Sequence, residues 1–78
     1  MNKQMQCLVE EITTNIILYL MEDNGYDLYT ALKEFYNSET FAKLSDEATE
    51  LYIEGPTYVY NVLKDEMKYG TLNVLPQI

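Results

Sequence analysis

Residues 4–22 read QMQCLVEEITTNIILYLME, and the spacing of the apolar side chains in this stretch decides the fold. Met5, Leu8, Val9, Ile12, Ile16, Tyr19 and Leu20 fall at three- and four-residue intervals. On a helix of 3.6 residues per turn those intervals put all seven on one stripe. Glu10, Glu11, Thr13, Thr14 and Asn15 take the opposite face. Ile17, Leu18 and Met21 widen the stripe toward its end, so the last two turns are expected to be covered on more than one side. Asn24-Gly25 closes the segment, because glycine accepts the left-handed conformation of a helix C-terminal cap.

The chain beyond this helix breaks into shorter pieces of the same kind. Asp27 reads as the N-cap of a second helix whose buried stripe is Leu28, Ala31, Leu32 and Phe35, with Tyr29, Lys33 and Glu34 outward. Asn37-Ser38 interrupts it, and Ser38 caps a short third helix through Glu39, Phe41, Ala42 and Leu44. Ser45-Asp46-Glu47 ends or restarts that segment. From Ala48 to Glu54 two readings stay open: Leu51 and Ile53 alternate with Glu50, Tyr52 and Glu54, which suits a short extended segment near Leu51–Ile53 as well as a helical turn. Gly55-Pro56 opens a last helix, since proline at the first helical position loses no helical hydrogen bond. That helix is expected to run to about Tyr69 with Val59, Val62, Leu63 and Met67 inward and Gly70 as its cap. The fold class predicted is all-α: one domain over residues 1–70 with three to four helices and a long N-terminal one. An apolar tail follows over 71–78, with Leu72, Val74, Leu75 and Ile78 available to fold back or dock on a neighbour.

A chain of 78 residues and 9.1 kDa buries only about 60% or slightly more of the surface its unfolded form exposes. The lone Cys7 cannot form an internal disulfide, and no metal-ligand cluster is spaced in the sequence. A homo-oligomer or a protein partner is the remaining way to bury more apolar surface.

Thirteen acidic against five basic residues give a net charge of −8. A field of that sign repels phosphate backbones and anionic membranes, so neither nucleic acid nor a membrane is an expected partner. A basic protein is, and its encounter would be accelerated by the acidic surface. The longest apolar stretch, residues 16–21, is too short to span a bilayer. The start of the chain shows no secretory signal, and a single unpaired cysteine suits a reducing compartment, so a cytoplasmic location is expected.

Chemistry is scarce. There is no His, Trp or Arg, which removes the commonest general base. Cys7 falls inside a helix pattern, and Ser38 and Ser45 fall where caps are expected. The neighbouring acidic pairs Glu10-Glu11, Glu22-Asp23, Asp46-Glu47 and Asp65-Glu66 point about 100° apart on a helix, so they diverge rather than converge on a site. Residues 23–27 alternate oxygen ligands but misplace the glycine of a calcium loop and have no closing Glu. No enzyme activity, catalytic residue, metal site or cofactor is expected.

Tyrosine stands out instead: eight of the 78 residues. Each ring can lie against apolar neighbours while its hydroxyl reaches water. Tyr29 leaves the stripe of the second helix, and at least one of Tyr58 and Tyr60 must leave the stripe of the last. One reading has these rings shielding short helices. The other gathers Tyr29, Tyr36, Tyr52 and Tyr58 into an aromatic partner-binding patch with an acidic rim.

The segments LYTALKEFYNSETFAKL (28–44) and ELYIEGPTYVYNVLKDE (50–66), with the spacing between them, resemble a group of short uncharacterised bacterial proteins. Some proteins of this type are encoded beside toxin-like enzymes, so the resemblance implies an antitoxin or accessory role. Members often carry Thr-Gly before the Leu-Tyr pair. This chain has Thr49-Glu50 there, which puts a tight turn at that point in question. Two functional expectations follow: a non-catalytic acidic module that binds a protein, and a homodimeric structural or regulatory protein assembled through its N-terminal helix.

Overall fold

The computed structural model describes residues 3–69. Four α-helices appear in order: α1 (Lys3–Asn24), α2 (Leu28–Tyr36), α3 (Glu39–Leu44) and α4 (Pro56–Tyr69). Two 3-10 turns, Glu47–Thr49 and Leu51–Ile53, link α3 to α4. Among the described residues there is no strand, and the domain is all-α as its periodicity predicts. Gly70 and the tail 71–78 lie outside the described residues, and the expectations placed on them with it.

The spine of the fold is α1. Met5, Val9, Ile12, Ile16, Ile17 and Leu20 are all buried along it, and α2, α4 and the second 3-10 turn pack on this surface. Ala31 and Phe35 from α2, Leu44 from α3, and Val59, Tyr60 and Leu63 from α4 complete the core. Phe35 is fully enclosed, with the Phe41 ring edge-on at 5.3 Å.

Local chemistry sets where each helix starts and stops. Gly25, at φ +69°, ends α1 and donates its N–H to the Met21 carbonyl. The Asp27 carboxylate accepts from the Thr30 N–H at 2.8 Å, and that bond holds its pKa below the ordinary 3.8. Ser38 acts twice: its hydroxyl donates to the Phe35 carbonyl (2.6 Å) and accepts from the Phe41 N–H (3.0 Å). One side chain thereby closes α2 and opens α3.

Several expectations change. Leu18, placed in the widened α1 stripe, is 53% exposed, and Thr13, placed on the opposite face, is buried. Leu28 does not join the α2 stripe; it is 55% exposed. It sits at the first helical position, before the helix has turned against α1, so Ala31, Leu32 and Phe35 carry the packing. Met67 is likewise exposed, near the end of α4 and beyond the last buried residue, Leu63. Of the two readings left open for residues 48–54, the helical turn is the one that forms: Leu51–Ile53 is a 3-10 turn.

The reason for the turn lies just before it. Glu50 adopts the left-handed conformation, φ 54° and ψ 20°, and reverses the chain between the two 3-10 turns. Its N–H donates to the Glu47 carbonyl and its carbonyl accepts from Ile53. Thr49 fastens the same reversal, its hydroxyl lying 2.6 Å from the Lys43 carbonyl and 2.9 Å from the Asp46 carbonyl. A tight turn therefore forms at Thr49-Glu50 without glycine, with a side chain in a region that disfavours one.

Candidate protein-binding surface

Two polar clamps hold the helices that carry the surface. The carboxylate of Glu66, on α4, reaches the start of α3: Oε2 accepts from the Glu39 N–H at 2.8 Å, and Oε1 accepts from the Thr40 N–H at 2.9 Å and hydroxyl at 2.8 Å. Thr40 is fully buried, so these bonds supply the partners its polar atoms need away from water. At the far end of α1, the Tyr60 hydroxyl donates to Asp23 Oδ2 at 2.8 Å, while its ring tilts against Tyr19 at 5.0 Å and lies under the Lys64 ammonium. Burial first, and the Asp23 carboxylate second, hold the Tyr60 phenol well above its ordinary value of 10.0. Both clamps use acids that sequence spacing places on a solvated face. Their partners lie 26 and 37 residues away in the chain, which no local pattern signals.

The four candidate tyrosines take different positions. Tyr29 is 73% exposed on the first turn of α2, and Tyr58 is 52% exposed on the first turn of α4. Tyr60, two residues further on, is buried, so Tyr58 is the ring that leaves the α4 stripe. Tyr36, half-exposed, stands perpendicular to Phe41 at 4.7 Å. It overlooks a groove of about 670 Å³ beside α1, lined also by Val9, Thr13 and Thr14. Tyr52 is half-buried and lines a different groove, of about 450 Å³, with Leu8, Ile12, Ile53 and Pro56. Tyr29 and Tyr58 line neither. The four rings are thus divided among α2, the second 3-10 turn and α4.

Apolar exposure is not confined to tyrosine. Ile53, on the second 3-10 turn, is 61% exposed, and Leu18 stands out on the polar face of α1. Ile53 is the residue that a reading centred on tyrosine passes over. Its signal is an apolar side chain held between Tyr52 and Glu54 in a segment rich in acids.

The α1 stripe around Ile16 and Leu20 offers no comparable surface. Ile16 and Leu20 are completely enclosed by the chain's own helices, so a second copy pairing along that stripe would have to open the core. Cys7 is exposed. Among the described residues no group of acidic or cysteine side chains is placed to hold a metal ion, and no helix is long and apolar enough to cross a membrane. Compared with protein-family models, with curated proteins and with solved structures, the chain matches none.

Proposed function

We propose that this protein is a non-catalytic, acidic protein-binding module of the cytoplasm, acting by covering the surface of a partner enzyme as an antitoxin or accessory protein does. The observation that carries this reading is the outward placement of large rings: Tyr29, Tyr36 and Tyr58 stand half-exposed or more while Phe35 and Tyr60 fill the core. Rigid aromatic side chains in that position supply contact area at low conformational cost, and interfaces draw their binding energy from such residues. The net charge of −8 supports a basic partner and a fast, salt-sensitive encounter. The antitoxin form of the reading rests on the resemblance of residues 28–44 and 50–66 to short uncharacterised bacterial proteins, a type of which some are encoded beside toxin-like enzymes.

The test begins with a tagged chain recovered gently from its native cytoplasm and a stoichiometric partner identified by mass spectrometry. The complex is then rebuilt from purified components. Tyr29→Ala and Tyr58→Ala are each expected to weaken it by about tenfold or more, as loss of an interface anchor does, with thermal stability nearly unchanged. Loss of stability without loss of affinity would make these rings structural and remove the patch. A partner whose activity is lethal alone and silenced by the complex identifies an antitoxin.

A further inference from the structure

The groove between α1 and the second 3-10 turn has a mainly apolar lining with Gln4 and one charged residue, Glu11. Leu8 and Ile12 of α1 form one side, Tyr52 and Ile53 the other, and Pro56 at the start of α4 closes an end. Glu11 lines it and is exposed. Glu54 sits in the chain between two lining residues, Ile53 and Gly55, and Glu50 lies two residues before Tyr52; both are exposed. Between Lys43 and Lys64 the sequence has four acids, Asp46, Glu47, Glu50 and Glu54, and no cation. Lys3, next to the lining residue Gln4, points about 100° away from it around α1.

We propose that this groove is the docking site for a basic amphipathic segment of another protein: an apolar side chain seated against Leu8, Tyr52 and Ile53, and flanking Lys or Arg side chains facing Glu11, Glu50 and Glu54. The inference rests on the protein-binding reading above and gives it a place on the molecule. An apolar trough receives the anchors of an amphipathic helix, and the acidic border selects the charge of its flanks.

Charge also decides against the other occupants. A second copy of this chain brings the same −8 to the same place. The chain's own tail, residues 71–78, carries no basic side chain to match the border. The larger groove beside Tyr36 also has one acid in its lining, Glu10, but Gln6, Thr13, Thr14 and Ser45 make that lining more polar.

The experiment uses the full chain and three fluorescent helical peptides, read by anisotropy at about 0.15 M salt. One has Leu at i, i+3, i+4 and i+7 with Lys elsewhere; the second replaces Lys by Glu; the third keeps Lys and replaces Leu by Ser. The Lys–Leu peptide is expected to bind about tenfold more tightly than either of the others. Ile53→Ser should weaken it about tenfold, and Ile53→Lys at least as much. Ile53 is exposed, and an unchanged circular dichroism spectrum and melting point will show that both variants fold. Glu50→Gln with Glu54→Gln should weaken binding and flatten its salt dependence, while Leu28→Ser, at an exposed position outside the groove, leaves it unchanged.

Equal binding of the Lys–Ser peptide would reduce the effect to charge alone and overturn the proposal, as would failure of the Lys–Leu peptide to bind. A dimer dissociated by Ile53→Ser assigns the groove to a second copy. A rise in affinity of about tenfold in Leu72→Ser with Leu75→Ser assigns it to the tail. Either result overturns the proposal. If the rebuilt complex of the preceding section survives Ile53→Ser but fails with Tyr29→Ala or Tyr58→Ala, the groove is wrong and the binding module stands.

Discussion

Tyr60 and Glu50 show how single residues set conditions on this fold. The Tyr60 phenol is kept protonated by burial and by the bond to Asp23. Its folded pKa lies above its unfolded value, so its contribution to stability is complete below pH about 10 and is lost as pH rises toward the folded pKa. Wild-type protein should therefore lose urea resistance steadily above pH 10, and Tyr60→Phe should show a shallower alkaline slope. At neutral pH the same variant should be about 1 kcal/mol less stable, the net worth of one hydrogen bond. An alkaline slope unchanged in Tyr60→Phe would place the titration elsewhere. Glu50 gives the opposite sign. Its left-handed backbone costs a side-chain residue about 1 kcal/mol that glycine avoids. Glu50→Gly is expected to raise the unfolding free energy by roughly 0.5–1 kcal/mol, read from chemical denaturation. A loss of stability would show that the Glu50 side chain makes a contact outweighing its backbone strain.

Between elements, the decisive contact is the reach of Glu66 from α4 to the start of α3. Helix α3 has six residues, too few to be stable as an isolated helix. Ser38 caps it from within and Glu66 from outside, while Leu44 anchors its end in the core. Glu66→Ala strands the amide and hydroxyl of a buried Thr40 and should cost about 2 kcal/mol. For a chain of this size that is a fall in melting temperature of roughly 8–16 °C. Asp65→Ala, one residue away and exposed, should cost under about 0.5 kcal/mol. Equal losses in the two variants would mean that negative charge on α4, rather than the capping geometry, supplies the stability. The pair also separates two acids that look alike in sequence.

At the scale of the molecule, α1 serves as the common wall for α2, α4 and the second 3-10 turn. At Ile16 and Leu20 its apolar stripe is used up inside the chain. Leu20→Asp, at a fully enclosed position, would bury an unpaired charge and should cost more than about 4 kcal/mol. That is most of the stability a domain of this size holds, so the expected outcome is an unfolded chain by circular dichroism. A folded monomer from Leu20→Asp would instead place Leu20 in an interface between copies. Leu18→Asp, on the outer face of the same helix, should leave the fold intact. If it also turns a dimer into a monomer in sedimentation equilibrium, α1 pairs through its outer face. Residue charge acts at this scale too: with −8 on so small a body, moderate salt should stabilise the fold by relieving self-repulsion.

Periodicity and capping chemistry are local, and they determined most of the architecture. The stripe from Met5 to Leu20, the glycine stop at Gly25, the caps at Asp27 and Ser38, and the Gly55-Pro56 start of α4 are all legible within a few residues of themselves. Each works because a backbone N–H or carbonyl must find a partner nearby or face water. Tertiary structure decided what depends on contacts between distant parts. It put Leu28 and Met67 outside, folded Leu51–Ile53 into a 3-10 turn, and divided Tyr58 from Tyr60. It also turned two of many acids, Asp23 and Glu66, into clamps. The candidate site divides the same way. The abundance of tyrosine is plain from composition, but which rings stand free, and that Ile53 borders a groove with Leu8, follow only once α1 is covered. Burial is a property of the assembled core, and a residue's neighbours in sequence do not carry it.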